Sequence, residues 1–255
     1  MPDTETSPQP LYVAQRPNKF SDYAGLDHLH GDFEYMVTHL EPRILITGPY
    51  GNGKTSLART LLMAMYCQDR KGIEPCLACH CCEEIGNFVW WGGVIVVTGI
   101  ELDTRFWRST RDRFQYVSPY IGGPYVLFID DFDRADPSQQ DRFISLMNGY
   151  PCNPMIITAS SPDLIQMPIK DRCFILDICK YDIEALKEFV RQKSDLLGIV
   201  KKEESAVELL VKLANFNPRT ILLGLEYVSA RKLGLTSDLL QSPSFRRRMA
   251  HQTGN

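Results

Sequence analysis

Short apolar runs, most of them rich in β-branched residues, recur along this chain at Ile44–Thr47, Val94–Val97, Tyr125–Ile129, Met155–Thr158 and Phe174–Ile178. Strands with one wet face alternate apolar and polar residues. Runs this continuous fit strands covered on both faces of a parallel sheet. Helical stretches separate them, Leu57–Tyr66 soon after the first. Five strands alternating with helices predict a doubly wound α/β domain, whose ligands sit beyond the carboxyl ends of the strands. From Asp182 the period changes to that of helices. Ile183, Leu186, Phe189 and Val190 share one face, Val207, Leu210, Val211 and Ala214 another, and Pro218 after Asn217 suits the first turn of a third helix. The pattern therefore predicts a disordered N-terminus over 1–15, an α/β domain over 16–180, a three-helix lid over 181–235 and a solvated tail over 236–255.

The first strand runs into Gly48-Pro49-Tyr50-Gly51-Asn52-Gly53-Lys54-Thr55-Ser56, and a helix follows. Strand, glycine loop and helix form the setting in which G-x-x-x-x-G-K-[ST] binds phosphate. The glycines let backbone N–H groups turn inward, and the helix directs its positive end at the anion. Lys54 would reach the β- and γ-phosphates of a nucleoside triphosphate, and Thr55 would hold Mg²⁺ through its hydroxyl. The third apolar run ends in Asp130-Asp131. A carboxylate at a strand end beside the loop can hold the Mg²⁺ shell, so Asp130 is the metal-side candidate. Asp131 is the candidate to orient or deprotonate the attacking water.

Composition sets further bounds. A net charge of −3 means any nucleic-acid contact must come from a local basic patch. No apolar run is long enough to span a membrane, and the acidic, Pro-rich start is unlike a signal peptide, so a cytoplasmic protein is expected. Five of the eight cysteines fall within Cys67–Cys82. In a reducing interior, clustered cysteines bind metal more often than they form disulfides. Cys67, Cys76, Cys79 and Cys82 supply four soft ligands for a closed structural Zn²⁺ site, with Cys81 or His80 as possible substitutes for one of them.

With these pieces in order, the chain resembles the AAA+ ATPases of the clamp-loader group, especially the gamma/tau subunits of bacterial replicative clamp loaders, from about Arg16 to Ala230. RPNKFSDYAGLDHL resembles the opening motif that packs near adenine, which places Arg16 and Pro17 on the base side. The spacing of Cys67, Cys76, Cys79 and Cys82 matches the family's inserted zinc module. LFIDDFDRADPSQQDRFISLMN resembles its Walker B strand and helix, and ITASSPDLIQMPIKDRC its sensor 1 strand and Ser-Arg-Cys motif. The resemblance puts Ser160 at sensor 1, Arg172 at the arginine finger that reaches a neighbouring subunit's ATP, and Arg219 of NPRT at sensor 2. It also implies that the helix bearing Arg105, Arg108 and Arg111, at i, i+3 and i+6, tracks a DNA backbone, although a solvated charged face has the same spacing.

Three departures modify the expectation. Asp131 stands where the family has Glu, and Asp171 where it has Ser before the finger. The sequence ends soon after the lid, so a collar-bound pentamer is not expected. The reading is an ATP-hydrolysing loader subunit that uses Mg²⁺ and carries Zn²⁺. It would assemble with itself or other loader subunits and act on a sliding clamp and primer–template DNA. The alternatives are a low-turnover assembly subunit and a DNA-targeting ATPase of a mobile element.

Overall fold

The computed structural model describes residues 9–86, 93–119, 121–179 and 181–253. Five strands form one parallel sheet: β1 (Arg43–Thr47), β2 (Val94–Thr98), β3 (Val126–Asp130), β4 (Met155–Ala159) and β5 (Phe174–Asp177). Their order is β2-β3-β4-β1-β5, with Ile44 beside Ile156 and Phe174, and Ile129 beside Ile157. The inner strands β1, β3 and β4 are buried almost throughout, whereas the edge strands β2 and β5 alternate in exposure. That contrast is why the inner runs read as continuous hydrophobicity.

Successive side chains leave opposite faces of the sheet, so each strand feeds two cores. Ile44, Ile46, Phe128 and Ile156 pack with Leu57 and Leu61 of α2 (Lys54–Tyr66) and with Phe33 and Met36 of α1 (His30–His39). Leu45, Leu127, Ile129 and Ile157 pack on the other face. There they meet Trp107 of α4 (Thr104–Phe114) and Phe143 and Leu146 of α5 (Pro137–Gly149). Between α2 and β2 lies the cysteine segment, ending in α3 (His80–Gly86).

A separate core binds the lid helices α6 (Ile183–Leu196), α7 (Glu204–Leu213) and α8 (Pro218–Ala230). The lid does not stop there. The stretch expected to be a solvated tail forms α9 (Ser237–Gln241) and α10 (Pro243–Thr253), giving five lid helices among the described residues. Leu240, Phe245 and Met249 are buried in the lid core. Arg246, Arg247 and Arg248 face solvent between Phe245 and Met249, which are one helical turn apart. The basic triplet hides the amphipathic spacing of the residues that flank it.

The N-terminus also departs from expectation in its described part. Leu11–Ala14 form one helical turn against α8, where the Leu11 backbone N–H donates to Glu226 Oε1 at 3.1 Å. Residues 1–8 of the expected disordered segment lie outside the described residues. No helix among the described residues is long and apolar enough to cross a membrane.

Candidate nucleotide and metal sites

The phosphate loop leaves the carboxyl end of β1 and delivers Lys54 as the first residue of α2. The backbone at Gly51 has φ of 86°, a region that L side chains rarely adopt. A Cβ there would lie 2.7 Å from the amide of Asn217 on the lid, so the lid approaches the loop as closely as glycine permits. Asn217 Nδ2 donates to the Tyr50 carbonyl oxygen, and the Tyr181 hydroxyl donates to that of Asn52. Asn52 in turn donates through Nδ2 to the Ile178 carbonyl oxygen at 3.2 Å. These bonds tie the loop to the strand end and to the lid.

Lys54 is buried, and its Nζ donates to the carbonyl oxygens of Gly48 (2.9 Å) and Pro49 (3.2 Å) and to Ser160 Oγ (2.7 Å). All three partners are neutral oxygens, so the ammonium charge is left for an anion to meet. Burial pulls the Lys54 pKa down, opposed by the carboxylates of Asp131, Asp130 and Asp133. This donor set fits a polyphosphate.

Thr55 Oγ1 donates to the Asp130 carboxylate at 2.9 Å. Thr158 Oγ1 donates to Asp130 Oδ1 at 2.6 Å and accepts the Asp131 backbone N–H at 2.9 Å. A hydroxyl and a fixed carboxylate, side by side beneath the loop, form the kind of oxygen pair that can hold Mg²⁺ with water and phosphate completing the shell. Asp131 sits in the left-handed region, at φ of 48°, and is half-buried. Burial, with the Asp130 charge behind it, raises its pKa against the pull of Lys54.

Two residues here escaped the sequence reading. Thr158 is the one that orients Asp130; its only signal was a hydroxyl in an apolar strand whose register sets it next to the end of β3. Asp133 Oδ2 accepts the backbone N–H groups of Ser160 (3.2 Å) and Ser161 (2.8 Å), bracing the turn that presents Ser160 to Lys54.

Above the loop opens a cavity of about 770 Å³, large enough for a nucleotide. Arg16, Pro17, Tyr23, Tyr181 and Arg219 are among the residues that line it. Arg59 of α2 holds the Arg16–Pro17 side in place, donating to Pro17 O at 2.8 Å and Asn18 Oδ1 at 2.6 Å. The structure thus brings together the loop residues, Asp130, Asp131, Ser160, Arg16, Pro17 and Arg219. Arg172 stands outside the cavity, exposed, with Nη1 donating to the Pro168 carbonyl oxygen at 2.7 Å. Arg105, Arg108 and Arg111 are exposed on α4, also apart from it.

The sequence profile of the family described as "ATPase family associated with various cellular activities (AAA)" matches residues 44–179, more than half of the chain. The chain belongs to the AAA family. This AAA ATPase is related to clamp-loader subunits. It is 24% identical over 221 residues to DNA polymerase III subunit tau of Bacillus subtilis, covering 84% of this chain and 38% of that protein. It is 25% identical over 181 residues to the sliding-clamp-loader large subunit of Enterobacteria phage T4, covering 67% of this chain and 49% of the relative. The chain therefore spans from a little over a third to about half of those two relatives. In fold it is similar to the Thermotoga maritima RuvB Holliday junction branch migration motor, with a TM-score of 0.62 at 17% identity over 93% of this chain and 72% of that one.

The AAA domain also carries a cysteine centre, in the segment between α2 and β2. Cys67, Cys76, Cys79 and Cys82 place their sulfurs within 4.8 Å of one another. In a tetrahedral Zn–thiolate site the sulfurs stand about 3.8 Å apart, so small side-chain rotations suffice to bind the ion. Cys76 Sγ accepts backbone N–H groups from Cys79 (3.2 Å) and Ala78 (3.5 Å), and Cys67 Sγ accepts that of Cys76 (3.2 Å). The Ala78 N–H leads in drawing the Cys76 thiol down to about 6, and burial pushes Cys82 up. Of the substitutes considered from sequence, Cys81 is buried, and neither it nor His80 belongs to the group of four. The four thiols fit Zn²⁺.

Proposed function

We propose that this AAA protein is a clamp-loader-like subunit that couples ATP hydrolysis to gripping and releasing a sliding clamp on primer–template DNA. The observation that carries the reading is the convergence of Lys54, Thr55, Asp130 and Arg219 on one cavity, with Ser160 bonded to Lys54, while Arg172 is exposed outside it. An arginine that serves a neighbour's nucleotide has to stand clear of its own. In this reading Gly48, Gly51, Asn52, Gly53, Lys54 and Ser56 hold the phosphates, and Thr55 and Asp130 hold Mg²⁺. Asp131 activates water, Ser160 and Arg219 sense the terminal phosphate, and Arg16 and Pro17 flank the base. Arg172 enters the next subunit's site to stabilise charge that builds up in the transition state. Mg²⁺ supplies charge neutralisation on the phosphates when bound. Arg105, Arg108 and Arg111 on the exposed face of α4 contact DNA phosphates independently of sequence. The relationship to subunit tau and to the phage T4 loader supports this partner set.

The test is ATPase activity, with and without primed DNA, of wild type, Lys54→Ala and Arg172→Ala. Each variant alone is expected to be inactive. Their mixture is expected to regain activity, because the Lys54→Ala subunit still lends Arg172 to an intact site. No recovery on mixing, with oligomers present, overturns the shared site. One observation favours a slower enzyme used for assembly rather than turnover. Asp131 is short, half-buried and fixed in a left-handed turn. Wild-type turnover that DNA does not stimulate would select that reading.

A further inference from the structure

The guanidinium carbon of Arg219 lies 5.1 Å from the ring centroid of Tyr12 and 4.9 Å from that of Tyr50. Both distances are within cation–π range. Both rings line the nucleotide cavity, Tyr12 from the helical turn Leu11–Ala14 and Tyr50 from the phosphate loop. Tyr50 is 67% exposed and contributes to no core.

Arg219 needs such a hold. It occupies the first turn of α8, where the positive end of the helix dipole disfavours a cation, and it faces the charge of Lys54. A carboxylate partner would fix its direction but also neutralise it. Aromatic faces fix the direction and leave the charge for an incoming anion. The hold is itself anchored to the lid. Leu11 N–H donates to Glu226 on the same α8, Lys193 Nζ donates to Gln15 Oε1 at 2.9 Å, and Asn217 Nδ2 donates to the Tyr50 carbonyl oxygen.

We propose that Tyr12 and Tyr50 are positioning residues that aim Arg219 at the terminal phosphate, and so set this protein's preference for a nucleoside triphosphate over the diphosphate. The inference rests on the reading above that Arg219 meets the γ-phosphate. It is tested by the ratio of affinities for ADP and a non-hydrolysable ATP analogue, measured by displacement of a fluorescent nucleotide. The proteins are wild type, Arg219→Ala, the pair Tyr12→Leu with Tyr50→Leu, and the pair Tyr12→Phe with Tyr50→Phe. Arg219→Ala is expected to shrink the triphosphate preference. The Leu pair, similar in bulk but without π faces, is expected to shrink it roughly fivefold or more, and the Phe pair to retain it. General loss of structure would weaken both nucleotides alike and leave the ratio unmoved. Should the Leu pair fail to fold, Tyr50→Leu alone, at an exposed position, makes the same measurement. A ratio unchanged in the Leu variants but reduced in Arg219→Ala overturns the positioning role. A ratio unchanged in Arg219→Ala overturns the reading of Arg219 itself.

Discussion

In the proposed mechanism, turnover depends most on Asp131. Its backbone is held by the Thr158 hydroxyl and sits at a left-handed φ of 48°, so the reach of the carboxylate is limited to that of a short side chain on a fixed backbone. Burial and the neighbouring Asp130 charge also raise its pKa. In the proposed role as base, Asp131→Asn should lower the single-turnover hydrolysis rate about a hundredfold or more with ATP binding retained, the usual size of a general-base contribution. Asp131→Glu, which adds a methylene of reach, should raise that rate above wild type. A Glu variant slower than wild type would mean that the fold has adapted to the shorter acid.

Two elements have functions that their composition conceals. The last helix, α10, looks like a basic tail yet completes the lid core through Phe245 and Met249. Phe245→Ala should cost about 3–5 kcal/mol in chemical denaturation, as expected for a fully buried aromatic ring, whereas Arg247→Ala on the solvent face should be neutral within about 0.5 kcal/mol. The cysteine segment is more than a surface staple. Its Glu74 carboxylate accepts the backbone N–H groups of Phe20 (2.8 Å) and Ser21 (2.9 Å), which belong to the strap beside the nucleotide cavity. Cys76→Ser should therefore reduce bound zinc below one ion per chain by elemental analysis and lower the thermal midpoint. Full zinc content in that variant would point to another ligand set.

For the whole molecule, the useful property is separation of faces. Arg172 and the arginines of α4 are exposed, and none of them lines the cavity above the phosphate loop. With a net charge of −3, the proposed DNA contact has to come from the local face of α4. Replacing Arg105, Arg108 and Arg111 together by Ala should weaken binding to primed DNA most at low salt. It should also flatten the dependence of log K on log salt by about 2 to 3, close to one for each phosphate that is no longer neutralised. An unchanged slope would assign the arginines to solvent alone.

The local chain determined what depends on near neighbours: five strands by their apolar runs, the phosphate loop by glycine spacing, the acid at the end of β3, and the four thiols by their turns. Those features need only a few consecutive residues to be recognised. Tertiary structure alone decided which distant groups meet. Thr158 reaches Asp130 because β3 and β4 pair in one register, and Arg219 reaches Tyr12 because the turn Leu11–Ala14 packs on α8. The lid's full extent was likewise settled by packing, since Phe245 and Met249 are hydrophobic anchors only where α8 offers them a core. Side-chain contacts between residues dozens to hundreds of positions apart leave no periodic trace, and the chemistry of this site is built from them.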